Sequence, residues 1–103
     1  MTLPELKTML ESTGLPVAYR AWPEGCAPAL PFICYFSTGS SNLPADSGVF
    51  YSYDNVRVEL YTQHKDLNAE AVVETALSGF HWEKTEIYIS AERCYMILYE
   101  IEV

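Results

Sequence analysis

Apolar residues recur along this chain with two different periods. Leu3, Leu6 and Leu10, with Met9 beside them, fall at i, i+3 and i+7, the spacing of one helix face. Thr2-Leu3-Pro4-Glu5 precedes them as a T-x-x-E capping box, with Pro4 tolerated in the first turn. Gly14 supplies a stop, so the pattern predicts a short amphipathic helix over residues 3–12. A second stripe of Ala69, Val72, Val73, Ala76 and Leu77 follows a capping Asp66 and ends at Gly79.

The remaining periodic segments read as strands. Leu15–Arg20 is a short first one. Pro31–Phe36 is apolar on both faces, as a central strand is. Val49–Tyr53 and Val56–Tyr61 flank an expected turn at Asp54-Asn55. In the second of these, Val56, Val58 and Leu60 alternate with outward Arg57, Glu59 and Tyr61. The tail divides into Trp82–Ile89 and Tyr95–Val103 around a Ser90–Arg93 turn, with Ile97, Tyr99, Ile101 and Val103 on one face. The order is α-β-β-β-β-α-β-β. Two helices with single apolar stripes then cover one face of a mixed, mainly antiparallel sheet, an α+β arrangement in one domain over residues 1–103.

One stretch fits neither period. From Ser37 through Gly48 the chain runs Ser-Thr-Gly-Ser-Ser-Asn-Leu-Pro-Ala-Asp-Ser-Gly. This reads as a loop at the length, beyond about 12 residues, where loops tend to be functional or disordered. Its small polar residues would keep it mobile, while Leu43 and Pro44 offer a small apolar plug.

Composition narrows the partners. Fourteen acidic against six basic side chains give a net charge of −8 with no basic cluster, so specific nucleic-acid binding is not expected. Half the residues are hydrophobic and eight are tyrosines, a surplus that suits either a sheet or an interface. No apolar run is long enough to span a membrane, and there is no signal-peptide pattern. Cys26, Cys34 and Cys94 are odd in number and lack metal or redox spacing, which points to synthesis in a reducing cytosol.

Candidate chemistry is sparse. His64 and His81 stand in no nucleophile–base motif, and Ser40 and Ser41 lack the Gly-x-Ser-x-Gly elbow. No phosphate-cradling glycine pattern or calcium loop is present, and Glu100 and Glu102 read as a solvated strand face. Catalytic residues, metal ligands and cofactors are therefore not expected. A chain with abundant tyrosine and one overlong loop reads as an assembly part.

The linear pattern carries a resemblance. It rests on Pro4–Tyr19, on Pro31-Phe32-Ile33-Cys34-Tyr35 followed by the Ser/Asn-rich loop, on Val56–Thr62, and on the ending Tyr99-Glu100-Ile101-Glu102-Val103. Across nearly its whole length the chain resembles the small tail-completion proteins of tailed phages and prophages of Gram-positive bacteria. The resemblance implies a non-enzymatic virion protein at the tail–head junction. A ring, commonly hexameric, would terminate the tail tube and join it to the head connector. Partners would be further copies of the chain, the major tail tube protein and the connector proteins.

An acidic ring also suits a passage for DNA that it must not bind. Ring closure needs two different patches on each copy. The candidates for contact are Asn42, Leu43 and Pro44 in the loop, Tyr51 and Tyr53 beyond it, and the outward Arg57 and Tyr61. The alternative is a small acidic binding module or inhibitor that mimics nucleic acid. The acids, however, are spread over helix faces, turns and the last strand rather than along one surface.

Overall fold

In a computed structural model the backbone is described for residues 1–44 and 50–103, and side chains for residues 1–41 and 52–103. Helix α1 (Leu3–Glu11) begins where the capping box predicts. The Thr2 hydroxyl accepts from the Glu5 N–H, and the Glu5 carboxylate accepts from the Thr2 N–H in return. The helix buries Leu6 and Leu10 completely, and Gly14 closes its end at a φ of 81° that only glycine adopts without strain.

The strands are β1 (Val17–Tyr19), β2 (Phe32–Pro44), β3 (Phe50–Thr62), β4 (Glu83–Ile89) and β5 (Cys94–Glu102), with helix α2 (Leu67–Ala76) between β3 and β4. They form one sheet in the order β1-β2-β3-β5-β4. Among the described residues only the β1–β2 pair is parallel; the other pairs are antiparallel. Both helices cover one face, so the α+β reading holds, and the elements follow the expected order with Val49–Tyr53 and Val56–Tyr61 joined in the one strand β3. Ile33, Tyr35, Val56, Val58, Leu60, Ile97, Tyr99 and Ile101 meet Leu6, Leu10, Ala69, Val73 and Leu77 there. Fully burying each such side chain contributes on the order of 2 kcal/mol.

The other face carries a thinner apolar layer of Cys34, Met96 and Leu98, also buried. At one end of it the segment after β1 folds back, setting Trp22 edge-on against Phe32 at 5.8 Å. Phe32 in turn lies 5.2 Å from Tyr61. Burial pushes the Cys34 thiol up to about 11, so it packs as a small hydrophobe.

Three local expectations change. Residues 37–44 are strand rather than loop, because each pairs across to β3 apart from Thr38, which is squeezed out as a bulge between Ser37 and Gly39. Asp54-Asn55 is no turn: β3 runs straight through it, since Asp54 and Val103 exchange both main-chain hydrogen bonds at 3.0 and 2.9 Å. On α2 the apolar stripe is displaced. Val72 is exposed, and Glu70 occupies the buried position.

Glu70 is buried because lysines meet it there. Lys65 Nζ lies 2.7 Å and Lys84 Nζ 3.2 Å from its carboxylate oxygens. Lys84 also binds Glu74 at 2.9 Å, Lys65 binds Glu86 at 2.6 Å, and the Tyr99 hydroxyl donates to Glu74 at 2.7 Å. This network ties α2 to β4 and β5. Burial, then the bond to Glu74, push the Tyr99 hydroxyl far up. Glu74 is held low: its own burial works the other way, but the bonds from Lys84 and Tyr99 outweigh it.

Candidate functional site

β2 and β3 outrun the sheet that contains them. β1 pairs with β2 only at residues 33–35, and β5 with the Val103 that follows it reaches β3 only from Asp54 onward. Residues 38–44 and 50–53 therefore continue as a two-stranded arm, about 20 Å long at strand rise. The molecule measures 50 × 27 × 26 Å. Its radius of gyration is 14.9 Å, against about 13 Å for a compact domain of this size.

The arm leaves the body at the bulge. Gly39 adopts a φ of 148° there, and bulges bend and twist the strand that carries them. Side chains clasp the joint. The Thr38 hydroxyl donates to the Asn55 carbonyl at 3.3 Å, and the Asn55 amide donates to the Ser41 hydroxyl at 2.9 Å.

Beside the arm base lies an open cleft of about 890 Å³. Tyr53, Asn55 and Arg57 of β3 line one side, and Phe80, His81 and Glu83 after α2 line the other, with Glu100 and Glu102 at the end of β5. Arg57 pairs in register with Phe36 and Glu100, and its buried Nε has no hydrogen-bond partner among the described residues. His81 is almost fully exposed, 4.0 Å from Glu83.

The sequence-derived contact residues fall in three places. Asn42, Leu43 and Pro44 are paired with Ser52, Tyr51 and Phe50 in the arm. The side chains of Asn42, Leu43, Pro44 and Tyr51 lie outside the described residues, as do Ala45–Val49 altogether. Tyr53 and Arg57 meet at the cleft. Tyr61 sits at the far end of β3, donating to Glu59 at 3.0 Å. Burial, with the Glu59 charge second, pushes its hydroxyl well above the usual range.

Tyr61 thus belongs to a different part of the surface from the other six. Sequence reasoning set His81 aside for want of a motif, passed over Phe80, and gave no special place to the exposed strand β4. Its signal was present in Glu83-Lys84-Thr85-Glu86-Ile87-Tyr88, where charges and large apolar groups share a short strand.

Ser40 and Ser41 stand on the arm, and Cys34 and Cys94 are buried free thiols. Among the described residues no three His, Cys, Asp or Glu side chains come together to hold a metal ion, and no helix is long and apolar enough to cross a membrane. What the geometry offers is main chain: a ribbon that, among the described residues, pairs with no further strand on its outer edge. The chain matches no protein-family model and no curated protein.

Proposed function

We propose that this chain is a non-enzymatic assembly protein of the phage tail-completion kind, several copies of which form a ring that ends the tail tube and meets the head connector. The arm is the observation that carries this reading. A two-stranded ribbon is marginal by itself in water, and an assembly protein gives such a ribbon a neighbour to lie against. The net charge of −8 suits a subunit that lines a DNA passage without binding the DNA.

Mimicry of nucleic acid fits less well. Glu70, Glu74 and Glu86 are taken up by Lys65 and Lys84, so they form no free array of negative charge.

The test is assembly. Purified protein is mixed with phage tails lacking their terminator and imaged by negative stain, and tail lengths are measured in a phage without the gene. Density capping the tube end, and overlong or unjoined tails in the deletion, are expected. No binding to tubes together with tails of normal length would sink the reading.

A further inference from the structure

The alternation of main-chain groups shows which edges of the sheet remain open. Asp54 bonds through both its N–H and C=O to Val103, so these groups point away from its β2 partner Ser40. Ser40 therefore directs its own N–H and C=O to the arm's outer edge. Two residues on, Asn42 does the same, and Pro44 adds a carbonyl. No strand pairs with that edge beyond Tyr35 among the described residues.

The same bonds set the aim of β5. Val103 points to β3, hence Glu100, Leu98, Met96 and Cys94 point to β4. Their partners Glu83, Thr85, Ile87 and Ile89 point back. Lys84, Glu86 and Tyr88 are left directing their main-chain groups outward from the last strand of the sheet.

We propose that the arm of one copy adds to the β4 edge of a second copy. Each edge presents main-chain groups from three residues at a spacing of two, Ser40, Asn42 and Pro44 against Lys84, Glu86 and Tyr88. Strand addition of this kind uses main-chain bonds for affinity. Charge does not oppose the pairing, because residues 38–44 carry none and meet no like charge on β4.

The charged side chains of Lys84 and Glu86 are already held on the helix face by Glu70, Glu74 and Lys65, which leaves their backbone accessible. Ile87 and Tyr88, 40% and 53% exposed on opposite faces of β4, would gain cover from the added strand. A long exposed edge invites such pairing unless something occupies it. The two edges belong to different patches of the molecule, so the contact is head-to-tail and propagates from copy to copy.

The proposal rests on the assembly reading only in that copies of the chain must meet. In a Cys26→Ser background, Ser40→Cys protein is mixed with Tyr88→Cys protein and oxidised, at high concentration and again with tail tubes present. Mixed disulfide dimers are expected. Adding Asn42→Pro, which removes an outward N–H that the hairpin does not use, should weaken association about tenfold or more. Asn42→Ala keeps that N–H and should leave dimer yield unchanged.

Absence of mixed dimers under both conditions overturns the proposal. So does equal yield with Asn42→Pro, or a comparable yield from Ser40→Cys protein alone, which would mean that arms pair with arms. Circular dichroism of each variant confirms that the body is folded. Mixed dimers without tube binding would fault the tail reading alone, whereas tube binding without mixed dimers would fault this contact alone.

Discussion

β2 and β3 each live under two regimes. In the body, residues 32–36 and 56–62 lie between other strands, and one of their faces is sealed by two helices. Ile33, Val58 and Leu60 are wholly buried. In the arm, among the described residues, the same two strands pair only with each other. Their residues there are Gly39, Ser40 and Ser41 on one side and Ser52 and Tyr53 on the other. Burial specifies the first region, and strand pairing holds the second. On the proposed reading, stability and recognition fall to different stretches of the same strands.

The sharpest way to break that division is to cut into each side. Leu60→Ala removes a fully buried side chain from the centre of the sheet and should cost about 3 kcal/mol, read as a lowered urea midpoint. A loss under about 1 kcal/mol would show that the body is loosely packed.

Acid and alkali should attack the body next, through the network under α2. Glu74 is held below its ordinary value of 4.5, so its contribution is present above that pH and lost as pH falls through the lower folded value. Tyr99 is raised above 10.0, and Lys84, bound first by Glu74, above 10.5. Their contributions are full below those values and disappear at higher pH. Midpoints measured across the range should be level in the middle and fall at both ends. In Tyr99→Phe the acid-side fall should shrink, because Glu74 then loses one of the bonds that lower it.

The smallest effect on stability belongs to the arm. Replacing residues 42–52 by Asn-Gly closes β2 and β3 with a two-residue turn after the Ser41–Tyr53 pair. Thermal unfolding should shift by no more than that of an ordinary surface change, about 0.5 kcal/mol, while tail joining is abolished. A large drop in melting temperature would mean that the arm braces the body after all.

The division also explains what could be read from the sequence. Helix caps, the apolar stripe of α1 and the alternation in Val56–Leu60 are local signals for buried elements, and they placed the body correctly. The arm is poor in strand formers on its β2 side, so Gly39–Pro44 resembled a loop. Its strand character comes from Phe50–Tyr53 across the ribbon, which no window on residues 37–48 contains. Asp54-Asn55 resembled a turn for the same reason, since the bonds that straighten it come from Val103, half the chain away. Glu70 was hidden too, because a buried carboxylate is tolerable only when Lys65 and Lys84 both reach it. The cleft needed the fold itself: Tyr53 and Arg57 become neighbours of His81 only when β5 and β4 are laid beside β3.

The bulge at Thr38 works like a single inserted letter in a reading frame. Before it, odd-numbered residues of β2 share the helix-covered face, as Ile33 and Tyr35 do. After it, the even-numbered Ser40 stands opposite Asp54 and takes over that side. Deleting Thr38 alone would make Ser37–Val56 and Gly39–Asn55 consecutive pairs, so Ser40 would keep Asp54 as its partner and only the bend at the base would go. The arm would keep its pairing, yet it would leave the body in another direction.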